Sequence, residues 1–88
     1  MPRTPVESST IAAIGYDPQA NVLEIQFKPD RHGNAPVWRY ENVAPDEYDT
    51  LTHAESIGRA FAVLIKPSHP GRKVAIMRLD GTTLEVLS

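Results

Sequence analysis

The chain has 88 residues, a net charge of −2, 41% hydrophobic and 23% charged residues, and no cysteine. That length suits one domain with a single small core, and the balance is that of a soluble globular chain. The missing cysteine excludes disulfides and thiolate metal sites and permits a cytosolic compartment, so the cytoplasm is the expected location.

The N-terminal Met1-Pro2-Arg3-Thr4-Pro5-Val6-Glu7 has no apolar run to act as a signal peptide. Nothing in the chain approaches the roughly 20 apolar residues that span a bilayer. Residues 1–7, with two prolines, read as a loose arm. Thr10 to Tyr16 is rich in β-branched residues and reads as a first strand, with Gly15 marking a bulge or a close backbone approach. Asp17-Pro18-Gln19-Ala20-Asn21 is a turn: Pro18 presets φ and the Asp17 carboxylate caps it. Val22 to Phe27 alternates, with Leu23, Ile25 and Phe27 on one side and Glu24 and Gln26 on the other. That is a half-buried strand antiparallel to the first.

Residues 29–36 (Pro29-Asp30-Arg31-His32-Gly33-Asn34-Ala35-Pro36) read as a long exposed loop. A third strand, Val37 to Val43, follows, and Trp38 and Tyr40 share one of its faces. Pro45-Asp46-Glu47 opens a short helix ending near Glu55: proline costs no hydrogen bond there, and the acids complement the helix dipole. Ser56 is the N-cap of a second helix. Its Ile57, Phe61, Leu64 and Ile65 form one apolar stripe, and Pro67 stops it. Gly58 inside that helix implies a close approach by a neighbour. Lys73 to Leu79 and Thr82 to Leu87 flank Asp80-Gly81, a strong hairpin signal.

These elements predict an α+β domain over residues 1–88. A three-stranded antiparallel meander is followed by two short helices on one face, and a C-terminal β-hairpin extends the sheet. The expected core is Leu23, Ile25, Phe27, Tyr48, Leu51, Ile57, Phe61 and Ile65.

Three blocks of residues, taken in order, carry a family resemblance. They are Ser8-Ser9-x-Ile11 with Ile14-Gly15-Tyr16-Asp17 and Leu23-x-Ile25-x-Phe27; then Trp38-Arg39-Tyr40 with Val43, Tyr48 and Leu51; then Ala54-x-Ser56-x-Gly58-x-x-Phe61 with Ile65. The chain resembles the KTSC domain over about residues 6–66, leaving 67–88 as an extension. That module is named for its place at the C-terminus of some lysyl-tRNA synthetases, and it also occurs as a free-standing bacterial or phage protein. The resemblance implies a small α+β domain and no established activity; attachment to a synthetase suggests RNA by association. Three positions depart from the family pattern: Trp38 replaces the first tyrosine of a Tyr-x-Tyr pair, Ala62 stands where asparagine is frequent, and the loop 29–36 is longer.

No catalytic constellation is legible. Ser8, Ser9 and Ser56 read as caps and turns, and His32, His53 and His69 as surface residues without metal-ligand spacing. No cofactor, metal or enzymatic activity is expected. Trp38 and Tyr40 either form a stacking platform for bases or fill the core beneath the helices, and the core assignment is preferred because aromatics dominate small cores. Arg39 then points to the opposite, exposed side.

Charge is segregated. Residues 41–55 carry five acids and no Lys or Arg, and residues 56–79 carry five bases and no acid. Both blocks suit solvated faces, and the second also suits a phosphate-tracking surface. The candidate nucleic-acid-binding residues are Arg39, Arg59, Lys66, Arg72, Lys73 and Arg78. The expected function is a non-enzymatic module binding RNA or single-stranded nucleic acid. The alternative is a module that binds a protein or itself, such as a small phage or bacterial regulator. No membrane partner is expected.

Overall fold

The computed structural model describes residues 2–78 and 83–86. Among these residues the domain is α+β, with six strands in sequential, wholly antiparallel order: β1 (Thr4–Pro5), β2 (Ile11–Asp17), β3 (Val22–Phe27), β4 (Asn34–Tyr40), β5 (Gly71–Arg78) and β6 (Thr83–Val86). Helices α1 (Pro45–Thr52) and α2 (Ile57–Ala60) lie between β4 and β5 in the chain, and α2 runs on into a π-helical turn, Phe61–Ile65. The meander is thus longer than the sequence predicts. The helices interrupt it rather than follow it.

Both helices cover one side of the sheet. Ile11, Ile14, Leu23, Ile25 and Tyr40 meet Val43, Leu51, Phe61 and Ile65 in one buried cluster. Tyr48, Ile57 and Phe27, also expected in the core, pack against it half-buried. Strand alternation alone does not put both Ile11 and Ile14 in that cluster, since they are three residues apart. A bulge does: the register passes from Ile11↔Phe27 to Ala13↔Gln26, leaving Ala12 as the extra residue.

The arm is not loose. Thr4 pairs with Ile14, the Val6 amide donates to the Ala12 carbonyl at 3.1 Å, and the Val6 side chain packs on the core. Asp17 caps its turn as expected, accepting from the Gln19 and Ala20 amides at 2.9 and 3.3 Å.

The expected loop 29–36 is shorter, and β4 starts at Asn34 rather than Val37. The Asp30 carboxylate causes this: it accepts from the His32 and Asn34 amides at 2.8 and 3.1 Å and reverses the chain at Gly33. Pro36 is tolerated in β4 because pairing with β3 begins only at Val37. The strand stops at Tyr40, not Val43, as Asn42 turns the chain with φ 59°.

α1 ends at Thr52, before Glu55. Its N-cap Ala44 has no side-chain oxygen, and Glu47 reaches back to accept the Ala44 amide at 3.0 Å. Ser56 caps α2 as predicted, accepting from the Arg59 amide at 3.3 Å. The single α-helical stripe does not hold. At Phe61 the helix widens, with the Lys66 amide donating to the Phe61 carbonyl at 3.0 Å, five residues back. The wider turn keeps Phe61 and Ile65 inward and rotates Leu64 out, to 39% exposure.

The C-terminal strands extend the sheet. β5 pairs with β4 from Gly71 onward, two residues earlier than expected, and β6 pairs with β5. The expected Asp80-Gly81 turn falls outside the described residues.

Candidate nucleic-acid interface

The residues that decide the site are the rings on the helix side of β3 and β4. Tyr40 is 5% exposed and belongs to the core, as preferred from the sequence, and its burial raises the hydroxyl pKa above the ordinary tyrosine value. Trp38 is only half-buried, since the helices do not reach fully across β4. Its ring stacks beside Tyr40 with centroids 6.5 Å apart. Phe61 meets Tyr40 and Phe27 edge-on at 5.2 and 5.7 Å. Phe27, Trp38, Tyr40, Phe61 and Lys66 line one cleft of about 240 Å³. Sequence periodicity marked Phe27 and Phe61 only as core; that they also wall a cleft depends on how the helix packs across the sheet, which no local pattern reports.

Of the six basic candidates, Lys66 reaches this cleft and Lys73 stands next to its tryptophan. Lys66 lines it, and Lys73 stands directly opposite Trp38 across the β4–β5 ladder, exposed and on the same face. A bulge at Val74 resets the alternation, so Ile76 and exposed Arg78 continue the row from Lys73, opposite Pro36 and Asn34.

Arg39 and Arg72 pair across strands on the other side of the sheet. Arg39 is not a free phosphate ligand. Its Nη2 lies 2.8 Å from the Glu24 carboxylate, the cross-strand neighbour, and Arg3 of the arm grips the second oxygen of that carboxylate. Arg3 also donates to Gln26 at 3.1 Å. Glu24 is 4% exposed. Burial alone would raise its pKa, but the bonds from Arg39 and Arg3 hold it below the usual glutamate value. The signal for the Glu24–Arg39 pair was in the pattern: both sit on the non-ring side of neighbouring strands. Arg59 stands apart from the others in a second, open groove with Ala54, Glu55, Ser56, Ala60, Val63 and Leu64.

Ser8 and Ser56 act as caps. Ser8 Oγ accepts from the Thr10 and Ile11 amides, and a Cβ at Gly58 would come within 2.5 Å of Thr10 Oγ1, which explains the glycine in α2. His53 is exposed beside Asp49, 3.3 Å away. His69 is no surface residue: its side chain is 8% exposed, with Nδ1 3.0 Å from the Glu41 carbonyl and Nε2 2.7 Å from the Glu47 carboxylate. The Ala44 amide and then His69 hold Glu47 below its ordinary pKa. Among the described residues no three His, Asp or Glu side chains gather as metal ligands. No helix among them is long and apolar enough to cross a membrane.

The KTSC domain profile matches residues 7–69. An uncharacterised protein of Stutzerimonas stutzeri is 36% identical over 69 residues, covering 78% of this chain and 90% of that one. A protein of Tsukamurella paurometabola is 44% identical over 63 residues, covering 72% and 87%. The crystal structure of a KTSC domain protein from Yersinia pestis superposes with a TM-score of 0.72 at 38% identity, over 83% of this chain and 96% of that one.

Proposed function

The chain belongs to the KTSC domain family, and we propose that this member is a non-enzymatic, cytoplasmic module that binds single-stranded nucleic acid, RNA or DNA, without a cofactor. One observation carries this: Trp38, half-buried at an aromatic cleft, has a lysine lining that cleft and another directly across the strand ladder. A base stacked on an aromatic side chain gains about 1–3 kcal/mol irrespective of its identity. The cleft volume of about 240 Å³ lies below the roughly 300–1,000 Å³ of pockets that enclose drug-sized ligands, so it suits one flat ring. A duplex keeps its bases stacked in pairs and offers no such ring. Lys66, Lys73 and Arg78 supply positive charge on the same side of the sheet as the cleft, where phosphates flanking the inserted base would run. On the other side of the sheet Arg39 is tied to Glu24, so its guanidinium is not free to meet a phosphate.

The test is fluorescence anisotropy with labelled single-stranded RNA, single-stranded DNA and duplex over a salt series. Single strands should bind at low ionic strength in preference to duplex. With three phosphate contacts, log K should fall against log salt with a slope of about −2. Joint reversal of Lys66, Lys73 and Arg78 to Glu should abolish binding and leave the melting temperature nearly unchanged, because exposed charges add little stability. Absence of binding at micromolar protein in low salt overturns the proposal.

A further inference from the structure

Two tyrosine hydroxyls are treated differently by this fold. Tyr16 donates to the Val43 carbonyl at 2.6 Å. Tyr40 is only 5% exposed, yet among the described residues its hydroxyl meets no hydrogen-bond partner; burial alone acts on it. A buried hydroxyl without a hydrogen bond is costly and uncommon. Among the described residues no side-chain nitrogen or oxygen closed off from solvent is left without a partner, so the Tyr40 hydroxyl is reached from outside. The cleft that Tyr40 lines offers that access. Its other walls are Phe27, Trp38, Phe61 and Lys66. Their polar groups are donors: the Lys66 ammonium and the Trp38 indole N–H cannot accept, and no carboxylate or amide side chain lines the cleft. Burial raises the Tyr40 pKa above the ordinary tyrosine value, so its hydroxyl keeps its proton at neutral pH and can donate as well.

We infer that the Tyr40 hydroxyl opens into this cleft as its specificity-determining group, donating, beside Lys66, to a keto oxygen on the edge of the inserted base. The inference rests on the single-strand reading above and adds discrimination to it, since stacking alone accepts every base. Uracil, thymine and guanine present a keto oxygen where cytosine and adenine present an amino group. An amino group is itself a donor and would meet a wall of donors. Lys66 and the Trp38 N–H have nothing to offer it, and the hydroxyl alone can turn to accept. The preference is therefore moderate rather than absolute.

Fluorescence anisotropy of the full chain at low ionic strength, with labelled oligouridylate and oligocytidylate of equal length, tests it. The two strands share backbone, charge and ring size and differ at the base edge. Oligouridylate should bind about tenfold more tightly, the ratio set by one hydrogen bond made against one left unmade. Tyr40→Phe keeps the ring and removes only the hydroxyl. It should bring the ratio close to one by weakening oligouridylate binding. Its melting temperature should stay close to the parent's, because the hydroxyl has no protein partner to lose. Equal affinity for the two strands, tighter binding of oligocytidylate, or a ratio that survives Tyr40→Phe overturns the inference and leaves the single-strand reading in place. Binding of neither strand overturns both.

Discussion

The Tyr40 ring lies across Gly71, its partner on β5: a Cβ added at residue 71 would fall within 3.0 Å of Cδ1, Cε1 and Cζ of that ring. Tyr40 is rigid core, held edge-on by Phe61, so the ring has nowhere to go. Gly71→Ala should therefore cost about 1–3 kcal/mol, the usual penalty for overpacking. A thermal melt reads this directly, at about 4–8 °C per kcal/mol for a domain of this size. An unchanged melting temperature would show that the ring swings aside freely.

Phe61 joins three parts of the fold: it is 5% exposed, touches Phe27 and Tyr40 through ring edges, and opens the π-helical turn. Phe61→Ala should cost about 3–5 kcal/mol, a large share of the stability of an 88-residue chain. Urea unfolding should show a much lower midpoint with a similar slope.

Glu24 sets an acid limit on stability. Its pKa lies below the ordinary 4.5 in the folded chain. The stabilisation is thus present above that value and is lost as pH falls through the lower, folded value. Glu47 and Asp30 are lowered as well and act in the same direction. Glu24→Gln should cost about 1–3 kcal/mol at pH 7, because it leaves two arginines without their carboxylate. The deficit should shrink below pH 4.5, flattening the acid limb, with the residue of that limb due to Glu47 and Asp30. The same substitution should free the arm, seen as faster hydrogen exchange at the Val6 amide, which bonds to Ala12. Equal losses at pH 3 and pH 7 would mean that Glu24 is not ionised against its arginines.

What could be read from the sequence was what local chemistry decides. Leu23, Ile25 and Phe27 announced a strand by alternation, Ser56 a cap, Asp17 a turn, and all three hold. The family motif residues marked the domain over nearly the matched span. Features set by distant partners were not legible. The arm looked loose because nothing local shows that Arg3 reaches Glu24, which precedes Arg39 by fifteen residues. Leu64 looked buried because the π-helical widening has no periodic signature. The five bases from Arg59 to Arg78 read as one surface, but the fold divides them: Lys73 and Arg78 share the Trp38 face and Lys66 lines its cleft, Arg72 lies behind it with Arg39, and Arg59 is in another groove. Strand register made that division, and register is a tertiary fact.

Trp38 is the one tryptophan of the chain and stands in the cleft proposed for a base, so its fluorescence reports directly on that site. Titration with unlabelled single-stranded RNA or DNA should quench the emission, saturating at the same concentrations as the anisotropy signal. Duplex should leave it nearly unchanged. Trp38→Ala should weaken single-strand binding by about 1–3 kcal/mol, roughly 5- to 150-fold. Trp38 packs half-buried against the cluster that holds Tyr40, Phe61 and Ile65, so Trp38→Ala should also lower the melting temperature, and binding is compared at a temperature where the variant is folded. Phe27, which also lines the cleft, packs on the same cluster, so Phe27→Ala would carry the same loss of packing. Strand binding with no change in Trp38 emission, and undiminished in Trp38→Ala, would leave Lys66, Lys73 and Arg78 as a purely ionic surface and remove the cleft from the mechanism.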